Sequence, residues 1–467
     1  MSTNRDLNRY NALKTLQNEM YNEKQHELKD TIVSSIYIQA ESIAKNVVSK
    51  ENHKKVDWDK KLDDILTSKY TGFPIMFLLL GLVFWLTIVG SNYPSKMLSD
   101  MFFGIEAHLT NWFMAANAPE WLHGILILGV YRTLAWVISV MLPPMAIFFP
   151  CFTLLEDLGY LPRIAFNLDR LFKKAGAHGK QSLTMSMGFG CNAAGVIACR
   201  IIESPRERLI AMLTNNFVPC NGRFPTLIAL STIIVGGFVT SQFSTLAASF
   251  FVSVLVLFGI AITLLVSWLL SKTLLKGVPS SFTLELPPYR KPQLGRIVYQ
   301  SLIDRTIFVL GRAVAVAAPA GLVIWLLANI SIGGQSILNH SATFLEPFAN
   351  LIGLDGFIIM AFILGFPANE IVLPILIMSY MTEGAMLELD SIQAMKELFF
   401  ANGWTWLTAL NFMLFSLLHF PCGTTVWTIK KESGSMKWAL FGTVMPTAIA
   451  IILLFVITQS TRLLGLV

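Results

Sequence analysis

Residues 187–192 read Met187-Gly188-Phe189-Gly190-Cys191-Asn192, and residues 364–369 read Leu364-Gly365-Phe366-Pro367-Ala368-Asn369. Downstream of each lies a second matched pair, Val218-Pro219-Cys220-Asn221-Gly222 and Phe420-Pro421-Cys422-Gly423. The interval is 29 residues in the first copy (191 to 220) and 54 in the second (368 to 422), and an acidic stretch at 381–402 matches the excess. Proline removes a backbone donor, and glycine weakens a helix interior. Each motif therefore marks a place where a helix breaks. Short Gly/Pro matches arise by chance in apolar chains, but two in the same order in both halves read as an internal repeat.

The surroundings of these motifs are apolar. Of 467 residues, 54% are hydrophobic and 14% charged, with mean hydropathy +0.59. Soluble domains carry about 25% charged residues. Apolar runs near 74–90, 121–142, 209–235, 244–271, 306–330, 404–428 and 438–460 approach or exceed the ~20 residues that cross a bilayer core. Three further stretches, 145–160, 183–199 and 352–380, are apolar but interrupted by Gly, Pro or acidic residues. They suit re-entrant hairpins or half-helices, which are tolerated at membrane depth only inside protein or along a watery cavity.

Charge is concentrated at the start. Residues 1–69 hold 23 of the 64 charged side chains. This segment reads as cytosolic helices, with Ile32, Ile36, Ile43 and Val47 on one apolar face and an amphipathic helix over 57–69. It is either a surface cap or a docking module. The net charge of +6 fits basic cytoplasmic loops, not nucleic acid, since no basic patch interleaved with aromatics occurs. The start has no apolar leader of the secretory type.

Lys and Arg set the expected orientation. The segments 91–120, 331–349 and 381–402, read as loops, hold one, none and one, whereas 163–208, 272–305 and 429–437 hold eight, six and three. Basic loops face the cytoplasm, so the N-terminus is inside. The first hairpin then enters from the cytoplasmic side and the second from outside, with their Pro-Cys helices running in opposite directions. The expected fold is an all-α polytopic membrane protein, an inverted repeat with re-entrant hairpins and broken helices. Broken helices at corresponding positions point to a binding site at the midplane. The division is a segment 1–69, first transmembrane helices 70–160, a module 161–272, a cytoplasmic loop 273–305, and a second module with C-terminal helix 306–467.

The chemistry is expected at the breaks. Pro219 and Pro421 free carbonyls that could coordinate a cation. Cys191, Cys220 and Cys422 lie at the breaks, and soft sulfur suits first-row transition metals. A single buried cysteine ordinarily packs as a small hydrophobe. Cys199 and Cys151 lack the repeat symmetry and read as packing residues. Asn192 and Asn369 offer neutral oxygens at equivalent positions, equally suited to tying a hairpin to its neighbour. Acidic groups in apolar surroundings cost roughly 2.5–3.5 kcal/mol on insertion scales. Glu370 and Glu156 are thus candidates, one of the Glu156/Asp157 pair being expected to bridge Arg163 or Arg170. His419 reads as a hydrogen-bonded interfacial histidine. No catalytic triad, HExxH or paired carboxylates stand out, so an enzyme is not expected.

Several of these runs occur together in one family. Leu155-Glu156-Asp157-Leu158-Gly159-Tyr160-Leu161-Pro162-Arg163, Gly188-Phe189-Gly190-Cys191-Asn192, Pro219-Cys220 with Arg223 and Pro225, Asn369-Glu370-Ile371-Val372-Leu373-Pro374 and Gly434-Ser435-Met436-Lys437-Trp438 resemble the FeoB ferrous iron transporter family. The resemblance implies two gate modules in a cell inner (plasma) membrane and Fe²⁺ as cargo, with no tightly bound cofactor. With that cargo, the metal-contact set expected at the breaks is Cys191, Cys220, Cys422, Glu370, Asn192, Asn369 and Glu156. Family members usually begin with a GTP-binding domain, and no G-x-x-x-x-G-K-[ST] occurs here. Gly179-Lys180-Gln181-Ser182 lacks the upstream glycine and reads as a loop. A separate GTP-binding protein is therefore the expected partner, and a homo-oligomer is compatible with the sequence. Ala193-Ala194 after the first Asn, and Asn221-Gly222-Arg223-Phe224-Pro225 after the second Cys, depart from the family pattern. They leave Mn²⁺ a close rival to Fe²⁺, with a nucleoside or other organic-solute carrier and a non-transporting structural membrane protein as the other readings.

Overall fold

The computed structural model describes residues 32, 35–44, 46–47, 58–68, 70–220, 222–235, 244–277, 289, 291–367, 369–381 and 392–466. It is built almost wholly of helices. A short α1 (Trp58–Leu66) leads into α2 (Gly72–Ala115), and α3 (Glu120–Asp157) returns beside it. Then follow α4 (Tyr160–Lys174), the hairpin α5 (Gln181–Gly190) and α6 (Asn192–Ala198), α7 (Pro205–Thr214), α8 (Phe224–Val235) and α9 (Ser244–Lys272). The second half begins with α10 (294–329), which contains a π-helical stretch at Gln300–Ile307. A small strand pair, Ser331–Ile332 with Gln335–Ser336, precedes α11 (Ile337–Leu351) and α12 (Gly356–Leu364). The chain closes with α13 (Val372–Met381), α14 (Ile392–Ala401), α15 (Trp406–Leu418), α16 (Gly423–Ser433) and α17 (Met436–Leu463).

Among the described residues five helical stretches are long and apolar enough to cross a bilayer: α2, α3, Thr245–Lys272, Trp406–Ser433 and α17. α11 and α12 pass the same test only together, as a pair bent by 110° that is either a broken span or a re-entrant loop. Leu78, Leu82, Val89, Phe250, Leu265, Ile452 and Val456 stand exposed on these helices. That is the inside-out pattern a helix shows when its outer face meets lipid rather than water.

The expected order of broken elements recurs in both halves. The hairpin α5–α6 turns at Cys191, and α7 gives way through a 3₁₀ turn (Asn215–Phe217) and an irregular stretch to α8. In the second half α12 turns through a 3₁₀ segment (Asn369–Ile371) into α13, and α15 breaks at His419–Cys422 before α16. Glycines allow the close approach. A Cβ on Gly188 or Gly195 would lie 2.8 or 2.5 Å from the Asn215 side chain, which is wedged between the two arms of the first hairpin. A Cβ on Gly259 of α9 would lie 2.5 Å from the Phe217 carbonyl.

Three sequence expectations are corrected. Residues 91–115, read as part of an external loop, continue α2 as helix. The partner helix explains this: Glu106 is buried and pairs with Arg132 of α3, whose Nε donates to Glu106 Oε1 at 2.8 Å, and Tyr131 Oη donates to the Phe102 carbonyl at 2.9 Å. Residues 145–157, read as a half-helix, are the end of the continuous α3 despite Pro143, Pro144 and Pro150. Packing against α2 and α10 holds that helix together where local propensity would break it. Finally, 331–349 is not a plain loop but a strand turn followed by α11, whose Phe344 is 84% exposed.

Ile32, Ile36, Ile43 and Val47, expected to share one apolar face, are all exposed.

Candidate functional site

The two breaks meet in a buried polar seam. On the first side Asn192, at the start of α6, is buried. Its amide, turned so that nitrogen faces acceptors, donates to the Gly188 carbonyl at 3.1 Å and the Val218 carbonyl at 3.2 Å. Asn215 Nδ2 donates back to the Asn192 carbonyl at 3.1 Å. These bonds tie the hairpin to the break beside it. On the second side the His419 ring lies between the Phe415 and Ser416 carbonyls, each 3.0 Å from Nδ1, and the Asn369 Oδ1, 3.3 Å from Nε2. Asn369 is buried, as is His419. Asn192 and Asn369 thus each make a hydrogen bond at their break, one of the two roles open to them from the sequence, and His419 is hydrogen-bonded as expected.

Arg223 joins the two sides. Its side chain is almost fully buried. Nη1 donates to the Asn216 and Leu417 carbonyls, both at 2.8 Å. Nη2 donates to Asn216 Oδ1 at 3.2 Å and to the His419 and Phe420 carbonyls at 3.3 Å. Asn216 Nδ2 reinforces the junction by donating to the His419 carbonyl at 2.7 Å. A buried charge without partners costs several kcal/mol, and five oxygens from two distant segments supply those partners.

This changes the reading of the freed carbonyls. Pro421 lacks the N–H that would have bonded the Leu417 carbonyl, and the irregular stretch at Cys220 likewise leaves the Asn216 carbonyl outside a helical ladder. Both are taken by Arg223. The breaks do create carbonyl acceptors, but in this conformation a side chain occupies them.

The sequence-predicted metal residues divide as follows. Cys220 is buried in the first break and Cys422 is half-buried in the second, at the start of α16. Cys422 Sγ also lies 3.3 Å from Thr425 Oγ1. Cys191 is half-buried at the tip of the first hairpin. Glu156 is in the last turn of α3, ahead of Gly159 and Arg163. The Glu370 backbone belongs to the 3₁₀ segment after Asn369, and its side chain lies outside the described residues. Among the described residues no group of three His, Cys, Asp or Glu side chains is placed to hold a metal ion. Cys199 is buried and donates to the Gly195 carbonyl at 3.3 Å, which fits its reading as a packing residue.

A second cluster links α1 to the first module. Arg163, in the first turn of α4, is nearly fully buried; its Nε donates to Asp63 Oδ1 at 2.9 Å and its Nη1 to the Gly159 carbonyl at 2.9 Å. Tyr289 donates to the same Asp63 oxygen at 2.7 Å and lays its ring 4.0 Å from the guanidinium carbon. Burial alone would raise the Asp63 carboxyl, but the hydrogen bonds from Arg163 and Tyr289 outweigh it and hold it below the usual carboxylate range. Burial, and then the bond to Asp63, push Tyr289 up to about 12. At the far side of the first module, Arg200 and Glu432 form a two-pronged ion pair (2.7 and 2.6 Å) between the end of α6 and α16.

Sequence reasoning missed Arg223 as a structural centre, and also Asn216, Asp63 and Tyr289. The signal for Arg223 was available. It is the one charged residue in 209–235, and the cost of a charge at membrane depth applies to bases as well as to acids.

The ferrous iron transport protein B C-terminal family model matches residues 252–304, and the Gate (nucleoside recognition) model matches residues 138–234. The chain is 30% identical over 432 residues to a Fe(2+) transporter FeoB of Staphylococcus aureus (strain MSSA476), covering 91% of this chain and 62% of the relative. It is 30% identical over 477 residues to a Fe(2+) transporter FeoB of Methanocaldococcus jannaschii, covering 97% and 67%. A Fe(2+) transport protein A/Fe(2+) transporter FeoB fusion protein of Porphyromonas gingivalis is 28% identical over 443 residues, covering 85% and 51%. The chain thus spans about three fifths of the length of the staphylococcal relatives it matches. No solved structure matches it.

Proposed function

Since the chain belongs to the FeoB family, we propose that it is a membrane transport core that passes Fe²⁺ to the cytoplasm between its two broken-helix modules. The observation that carries this reading is the seam itself. Two breaks at corresponding positions meet across Asn192, Asn216, Arg223, His419 and Asn369, with Cys220 and Cys422 one in each break. Irregular backbone at such breaks supplies ion sites in transporters built from inverted repeats, and loop charges support the inverted orientation with the N-terminus inside. The path runs past Cys191, Cys220 and Cys422, with Glu370, Glu156, Asn192 and Asn369 as oxygen donors on the way. A weak, transient set of ligands serves conduction better than a closed cage, because an ion must leave as readily as it enters. A divalent ion moving inward gains about 4.6 kcal/mol at 100 mV, twice the single-charge value, so a gated passive path suffices.

Gating falls to a GTP-binding protein on another polypeptide. The exposed Ile36 and Ile43 offer it a docking surface. Asp63–Arg163 gives docking a mechanical route to α4 and the first hairpin. The match to the Gate model, described as nucleoside recognition, favours one second reading, an organic-solute carrier using the same breaks. Uptake of Fe²⁺, Mn²⁺, Zn²⁺ and uridine into proteoliposomes, with and without a membrane potential, tests the proposal. Potential-driven Fe²⁺ entry above Zn²⁺ and uridine is expected. Uridine entry without metal entry would overturn it, and Mn²⁺ entry above Fe²⁺ would change the cargo within the same mechanism.

A further inference from the structure

Arg223 is a permanent cation held between the two breaks of a chain read here as a cation pathway. Five oxygens surround its terminal nitrogens: the carbonyls of Asn216, Leu417, His419 and Phe420 and the Asn216 side chain, at 2.8–3.3 Å. Rings of carbonyl oxygens are what replaces the water shell of a permeating cation in a selectivity filter. Here the positive charge is part of the protein. We infer that Arg223 is a tethered cation that bolts the pathway shut: its guanidinium occupies the carbonyl cage that a permeating divalent ion must use, so arginine and ion exclude one another. This rests on the transport reading above and adds to it the gate residue.

Three features favour a bolt over a permanent brace. The oxygens come from both modules, two from Asn216 and three from the break at Leu417–Phe420. Sliding one break past the other therefore loosens three of the five bonds together. Among the described residues no carboxylate pairs with Arg223, and its buried Nε has no hydrogen-bond partner. The guanidinium is thus held by neutral dipoles, which a doubly charged ion attracts more strongly, and no ion pair need be broken for exchange. Lastly, Asn216 is shared: its Oδ1 holds Arg223 while its Nδ2 holds the His419 carbonyl. Release of the arginine therefore leaves one strut between the breaks, and the seam can open without coming apart.

The test uses the full chain in liposomes, with Arg223→Gln and Arg223→Lys beside the parent. Two quantities are read: modification of Cys220 by a small, positively charged, water-soluble thiol reagent, mapped by mass spectrometry, and uptake of Fe²⁺ and Mn²⁺. Cys220 is buried in the same break, three residues before Arg223, so its labelling reports opening without reference to the cargo. Arg223→Gln is expected to raise labelling and uptake together by about tenfold or more, the scale of one lost charge-assisted bond. Guanidinium chloride at a non-denaturing concentration should return both toward the parent. Lys keeps the charge but reaches fewer of the five oxygens, and should fall between. A brace predicts the opposite sign for uptake, so labelling that rises while uptake falls, with no rescue by guanidinium, would overturn the inference. Should Arg223→Gln fail to fold, the Lys variant decides: a folded Lys protein with parental labelling and uptake also overturns it. If labelling and rescue follow the expected order while neither metal enters in any variant, the bolt stands and the cargo reading is what fails.

Discussion

Replacing Asp63 with Asn is expected to loosen α1 from the first module. Asp63 Oδ1 receives Arg163 Nε at 2.9 Å and Tyr289 Oη at 2.7 Å, and Oδ2 receives Arg163 Nη2 at 3.4 Å. The amide keeps the shape but loses the charge and one acceptor. Hydrogen bonds to charged groups contribute about 1.5–3 kcal/mol. Breaking a fully buried pair costs about 3–5 kcal/mol, but the Asp63 side chain is 28% exposed, so water offsets part of that loss. Arg163 also retains the Gly159 carbonyl and the Tyr289 ring. The cost should be about 2 kcal/mol, or roughly a 30-fold shift in the local opening equilibrium. Hydrogen exchange of the amides in 58–66 reads it directly, because those protons exchange when α1 undocks. The pH dependence follows from the two shifts. The depressed Asp63 contribution is fully present above its unfolded pKa of about 3.9 and disappears as pH falls through the lower folded value. The raised Tyr289 contribution is present below about 10 and is lost as pH rises through about 12. Protection should therefore be flat from about pH 5 to 9 and fall on either side. Protection in Asp63→Asn within about threefold of the parent, under 1 kcal/mol, would refute the latch.

Cys220→Ser and Cys422→Ser together should lower Fe²⁺ uptake with little change in thermal stability, since Ser preserves size and can keep the Thr425 contact while removing a soft ligand. Cys199→Ser should leave uptake unchanged, and parental uptake in the double variant would mark the thiols as packing groups. Gly195→Ala should destabilise the chain by about 1–3 kcal/mol, because its Cβ would lie 2.5 Å from Asn215 Nδ2; thermal unfolding in detergent measures it, and a neutral result would mean that Asn215 moves freely. Ser341→Cys should react with an impermeant reagent from outside and Glu203→Cys only from the cytoplasmic side, both positions being exposed; equal labelling of the two from one side would sink the inverted orientation.

Much of the fold was legible because its determinants are local. A charge deficit and runs of apolar residues specify bilayer-spanning helices. Proline without its N–H and glycine without its Cβ mark the breaks at Cys191, Pro219, Asn369 and Pro421. The same locality misled at 91–115 and 145–157. There a weakly charged segment and a Pro-interrupted run read as loop and half-helix, but pairing of Glu106 with Arg132 and packing against neighbouring helices keep both helical. The site was legible in its ties, Asn192 and Asn369, because they sit in the repeated motifs.

What the chain alone determined, then, was where helices stop. What tertiary structure decided was what takes the place of the missing bonds. The oxygens around Arg223 come from Asn216, seven residues away, and from Leu417, His419 and Phe420, 194 to 197 residues away; Asp63 and Arg163 are 100 residues apart. No periodicity records such pairs. A broken helix leaves acceptors of fixed position but unspecified partner, and only the packing of the second module against the first decides whether water, an ion or an arginine fills them.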